Sequence, residues 1–156
     1  MSVNLKSIQV VIDLATRRRD HAGTQLAAAM HALEQAQAQL TQLVDYTAEG
    51  QAKWMARSTQ GVSGVLVQHQ RAFSQKLQEA VDFQNQVIRQ KQATVTSAQN
   101  ILQQAERELA TLKKVVERTI QAQQAIARKR EQKQVDEMAM SMLAHQRREA
   151  EQEMTS

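Results

Sequence analysis

The chain of 156 residues contains no proline and no cysteine, only four glycines, and aromatic residues at 3%. That composition excludes a disulfide framework and a thiolate metal site, and it is too poor in aromatics for an ordinary globular core. Twenty basic and sixteen acidic residues give a net charge of +4, but the two signs are mostly interspersed, which describes a solvated helical surface better than the concentrated basic stripe of a nucleic-acid binder.

The first predicted element is a long helix over residues 3–57. Its apolar positions are Ile8, Ile12, Ala15, Ala22, Leu26, Ala29, Leu33, Ala36, Leu40, Leu43 and Trp54, with Arg19, Thr47 and Gly50 filling the remaining steps of an unbroken alternation of four and three. Such spacing draws one stripe along a left-handed supercoil, and that stripe must be buried against another helix. Alanine and leucine alternate along it from Ala22 to Leu40, so a partner helix can approach closely. Gly23, beside the seam, costs about 1 kcal/mol relative to alanine.

A break is predicted over residues 58–64, Ser58-Thr59-Gln60-Gly61-Val62-Ser63-Gly64, with Leu66 as the first filled seam position after it. Gly61 suits a helix terminus that needs positive φ, and Ser63 suits an N-cap. A connection this short favours antiparallel neighbours; a bend between two separate coiled coils is the competing arrangement.

The second helix is predicted over residues 65–152. Its seam is Leu77, Val81, Gln84, Ile88, Lys91, Val95, Ala98, Leu102, Ala105, Leu109, Leu112, Val116, Thr119, Gln123 and Ile126. Folding about residue 61 or 62 sets Leu43 near Ala80, Tyr46 near Leu77, Gly50 near Phe73, and Ile8 near Val115 or Val116. Beyond about residue 120 this helix has no counterpart within the chain, and an isolated helix of that length is marginal in water. The expected fold is therefore all-α: one coiled-coil domain over 1–156, a long antiparallel two-helix hairpin with an unpaired C-terminal extension.

Candidate chemistry is sparse. His21, His31, His69 and His145 form no metal spacing, and no phosphate-cradling loop or nucleophile elbow is present. The chain reads as a non-enzyme with no catalytic residue, cofactor or metal. It has no apolar run long enough to cross a membrane and no secretory leader, so a cytoplasmic location is expected. Tyr46, Trp54, Phe73 and Phe83, all of its aromatics, fall near the turn. They either plug the splayed end of the coiled coil or form a docking patch. Met138, Met140 and Met142 cluster in the extension, either by chance or as an adaptable binding surface.

Three stretches carry a resemblance. They are Gln39-Leu40-Thr41-Gln42-Leu43-Val44-Asp45-Tyr46, the glycine break followed by Phe73-x-x-x-Leu77-x-x-Ala80, and Arg130-Glu131-Gln132-Lys133-Gln134-Val135-Asp136-Glu137-Met138-Ala139. With an opening that contains Leu5, Ile8, Leu14 and the Arg17-Arg18-Arg19 run, they resemble the FliJ family of the bacterial flagellar type III export apparatus over essentially the whole chain. The resemblance implies an antiparallel two-helix coiled coil similar to the gamma-subunit stalk of rotary F-type ATPases. It also implies a cytoplasmic protein, peripheral at the inner-membrane export apparatus, that is a non-catalytic stalk and general export chaperone. Its implied partners are the ring of the export ATPase (FliI), the cytoplasmic part of the export gate membrane protein (FlhA) and unladen export chaperones. Nucleic acid and direct membrane insertion are not expected, and the free protein is expected to be monomeric.

The family's gate-contact surface carries over to Gln39, Leu43, Tyr46, Phe73, Leu77 and Ala80. Gly50 departs where an aromatic often stands, and Gln84 where a histidine may. For the ATPase, stalk analogy and charge select Arg17, Arg18, Arg128, Lys129, Arg130 and Lys133. The stalk of a virulence-type secretion system and a self-associating structural scaffold are the competing functions.

Overall fold

The computed structural model describes residues 5–155, and for residue 5 the backbone alone. The expected helix start at Val3 lies outside the described residues. Two helices account for almost everything else: α1, Leu5–Ser58, and α2, Gly64–Thr155, which pack against each other as an α-hairpin.

The turn between them is built as its residue types predict. Gln60 N–H donates to the Arg57 carbonyl and Gly61 N–H to the Ser58 carbonyl, each at 3.2 Å, and so two of the orphan acceptors at the end of α1 are used. Gly61 has φ of 86°, a conformation that costs glycine nothing and a side-chain-bearing residue a good deal. Ser63 then caps α2: its Oγ accepts from Leu66 N–H at 3.3 Å while its carbonyl accepts from Val67 N–H at 3.1 Å.

The chain forms two compact units. One is Ala15–Arg107, which contains the turn; the other, among the described residues, gathers 5–14 with 108–155.

In the Ala15–Arg107 unit every seam position expected on α1 is buried or half-buried, Arg19, Thr47 and Gly50 included. The most buried are Ala15, Ala22, Ala29 and Ala36, one per heptad, with Leu26, Leu33 and Leu40 half-buried between them. Opposite, α2 contributes Gln84, Ile88, Ala98 and Ala105 as its most buried residues. Small side chains take the centre of the interface and leucines flank it, which is the packing expected where two helix backbones approach closely.

The seam on α2 begins at Val67, not at the expected Leu66, and passes through polar residues before it reaches Leu77. Leu66 is exposed and Val67 half-buried, and the row continues through Gln70 and Ser74 to Leu77. Two polar residues in successive seam positions hide the stripe from a reading based on hydrophobicity. Lys91 and Ile126, both on the expected seam, are exposed; a lysine keeps its ammonium in water even where its position faces a partner.

Gln84 fixes the alignment of the two helices. Its Nε2 donates to the Ala36 carbonyl at 2.9 Å and to Gln39 Oε1 at 3.2 Å. A buried amide without partners would cost several times what a satisfied one does, so sliding either helix by a turn is disfavoured. Continued along the hairpin, this alignment sets Leu43 level with Ala80, Tyr46 with Leu77 and Gly50 with Phe73.

In the other unit, Ile8 and Ile12 are half-buried on α1. On α2, Leu109 is buried, and Leu112, Val116, Thr119, Ile120 and Gln123 are half-buried. From Gln124 to Thr155 every residue is exposed, so the extension begins within a turn of where the sequence places it.

Candidate protein-docking site

Two rows of residues flank the seam in the Ala15–Arg107 unit. On α1, Gln39, Leu43 and Tyr46 follow steps of four and three and so share one face; on α2, Phe73, Leu77 and Ala80 do the same. Each row lies one step to the side of its seam and shares a seam leucine with it. The hydrogen bond from Gln84, which continues the α2 row, to Gln39, which begins the α1 row, brings the two rows together on one side of the hairpin.

The resulting surface has a recognisable anatomy. Leu43, Leu77 and Ala80 are half-buried and form its floor. Tyr46 and Phe73 stand above it, 57% and 45% exposed. These two rings are therefore surface features and do not plug the coiled coil. Trp54 is the aromatic nearest to that role: it is half-buried and lines an open cleft beside the turn with Val67, Gln70, Arg71 and Ser74. Exposed aromatic rings over an apolar floor, rimmed by amides such as Gln39, are what interface anchors look like before a partner arrives.

Phe83, one of the four aromatics expected near the turn but not among the gate-contact residues that the family resemblance selects, belongs to the same side. It lies three residues beyond Ala80, one helical step further out, and is 66% exposed. The signal was the aromatic itself, since a large ring on the solvent face of a helix gains nothing there from burial.

The basic candidates divide between the two units. Arg17 and Arg18 are exposed on α1, while their neighbour Arg19 is half-buried and pairs through Nη2 with Asp20 Oδ1 at 2.8 Å. Arg128, Lys129, Arg130 and Lys133 are exposed on the extension. The extension also carries an apolar row of Val135, Met138, Met142 and Leu143, all exposed. At 100° per residue, the centre of that row lies about 180° from Ile126, the last residue of the seam.

For small-molecule chemistry the residues offer little. His21, His31 and His69 are exposed, and His145 Nε2 lies 3.2 Å from Glu149 Oε1 on the exposed extension. Among the described residues no three acidic or imidazole side chains gather as a metal site, and no helix is long and apolar enough to cross a membrane.

The family model described as "Flagellar FliJ protein" matches residues 5–149. No curated protein matches the chain.

Proposed function

This chain belongs to the FliJ family, the non-catalytic coiled-coil components of the flagellar type III export apparatus, and from that membership and its surface we propose that it links the export ATPase to the export gate. In this reading the side of the hairpin bearing Gln39, Leu43, Tyr46, Phe73, Leu77 and Ala80 docks on the cytoplasmic part of the gate protein. The basic residues Arg17, Arg18, Arg128, Lys129, Arg130 and Lys133 face acidic surface on the ATPase ring. Free export chaperones are escorted by the same molecule, which works in the cytoplasm at the inner-membrane apparatus.

The observation that carries the reading is the paired exposure of Tyr46 and Phe73 over a half-buried apolar floor, on the residues that the family resemblance selects. Burying two such rings is favourable and directional, and hot spots are typically aromatic. The basic segments would act differently: exposed cations set orientation and association rate more than they set affinity.

Titration against the purified export ATPase tests the second contact. The triple variant Arg128→Glu, Lys129→Glu, Arg130→Glu should slow association by about tenfold at low salt, with a smaller difference at high salt. Unchanged association at both salt concentrations would remove the extension from the ATPase contact.

A further inference from the structure

Although every residue from Gln124 to Thr155 is exposed, the heptad count that passes through Val116, Thr119 and Gln123 does not stop there. In the same steps of three and four it continues through Ile126, Arg130, Lys133, Glu137, Met140, Ala144, Arg147, Glu151 and Met154. This row prolongs the half-buried face of α2, and in it charged residues occupy most of the positions that an apolar seam would fill.

The order of those charges is not arbitrary. Lys133 and Glu137 precede the uncharged pair Met140 and Ala144; Arg147 and Glu151 follow it. Read from either end, these four residues present opposite signs at equivalent distances from the middle of the row, and outside them Arg130 stands at the position equivalent to Met154. A second copy laid antiparallel, with Met140 against Ala144, therefore meets it with Lys133 against Glu151 and Glu137 against Arg147. Two-fold symmetry makes each of these contacts twice. A second copy laid parallel and in step would set every charge against itself. The pattern thus favours one orientation and penalises the other.

We propose that the extension is a self-docking element, and that two copies of this chain pair antiparallel over residues 130–154 through this row. Only the Met140 and Ala144 layers are apolar, so the pairing is weak. Its selectivity comes from four complementary ion pairs, and ion pairs at a solvated helix interface weaken with salt. The expectation of a monomeric chain rests on seams that are satisfied within the hairpin, and the extension lies beyond both. Val135, Met138 and Met142 are on the opposite face and stay open in such a pair, whereas Leu143, three residues on from Met140, borders the pairing row. The inference is independent of the proposed export function.

The test uses the full chain in sedimentation velocity over a concentration series at low and at high salt. The wild type should show a concentration-dependent monomer–dimer equilibrium that weakens at high salt. Lys133→Glu should raise the dissociation constant about tenfold, by setting glutamate against Glu151 of the second copy, and adding Glu151→Lys should restore it to within about threefold. Both positions are exposed on a helix, so circular dichroism should read the same for all three proteins. A wild type that stays monomeric at low salt, a Lys133→Glu protein that dimerises as well as the wild type, or a double exchange that fails to restore pairing would each overturn the proposal.

Discussion

Single residues set how closely and in what alignment the two helices meet. Ala22 and Ala36 are each 4% exposed, among the least accessible residues on α1. Their methyl groups leave no room for branching at the centre of the interface. Ala22→Leu should therefore destabilise the chain by about 1–3 kcal/mol through overpacking, even though leucine is more hydrophobic and nearly as good a helix former. Thermal unfolding followed by circular dichroism reads this as a lower midpoint; an unchanged or raised midpoint would mean that the helices stand further apart than described. The alternation of alanine and leucine made this seam legible in the sequence, because a heptad row of small residues has few other uses. Gln84 was legible only as an interruption. Its partners, the Ala36 carbonyl and the Gln39 side chain, lie more than forty positions away, and no local pattern announces a side chain that bonds to the backbone of another helix.

At the scale of elements, α1 and α2 differ in how much of their length is covered. The turn was readable because Gly61 and Ser63 have distinct backbone and capping preferences, and the structure uses both. The first turns of α2 were misread, since Gln70 and Ser74 occupy seam positions without looking apolar. The extension was readable from the simple fact that one helix outruns the other. Its helical hydrogen bonds have no second helix to shield them, and a lone helix opens readily in water. Amide hydrogen exchange at low protein concentration, where the proposed self-pairing is dissociated, should be faster by orders of magnitude over residues 126–154 than over residues 95–112. Equal protection in the two stretches would show that the extension is covered within the chain.

For the whole molecule, the family match accounts for the class of function, and the contacts proposed above rest on the exposure and grouping of the surface residues. The candidate surface was partly legible: steps of four and three place each row of three on one helix face, but bringing the two rows to the same side depends on the alignment that Gln84 fixes. Phe83 was legible as one of the clustered aromatics, but the gate-contact set omits it because the resemblance, rather than exposure, chose those residues. A surface whose floor is half-buried and whose rings are exposed can lose those rings without losing the hairpin, since Tyr46 and Phe73 contribute little to the seam itself.

The direct measurement is therefore a pair of titrations with the double variant Tyr46→Ala, Phe73→Ala, one against the cytoplasmic part of the export gate protein and one against the export ATPase. Gate affinity should fall at least about tenfold, the usual loss when an anchoring aromatic is truncated, with ATPase affinity and helix content unchanged. Gate affinity equal to that of the wild type, in a variant of undiminished helix content, would contradict the account.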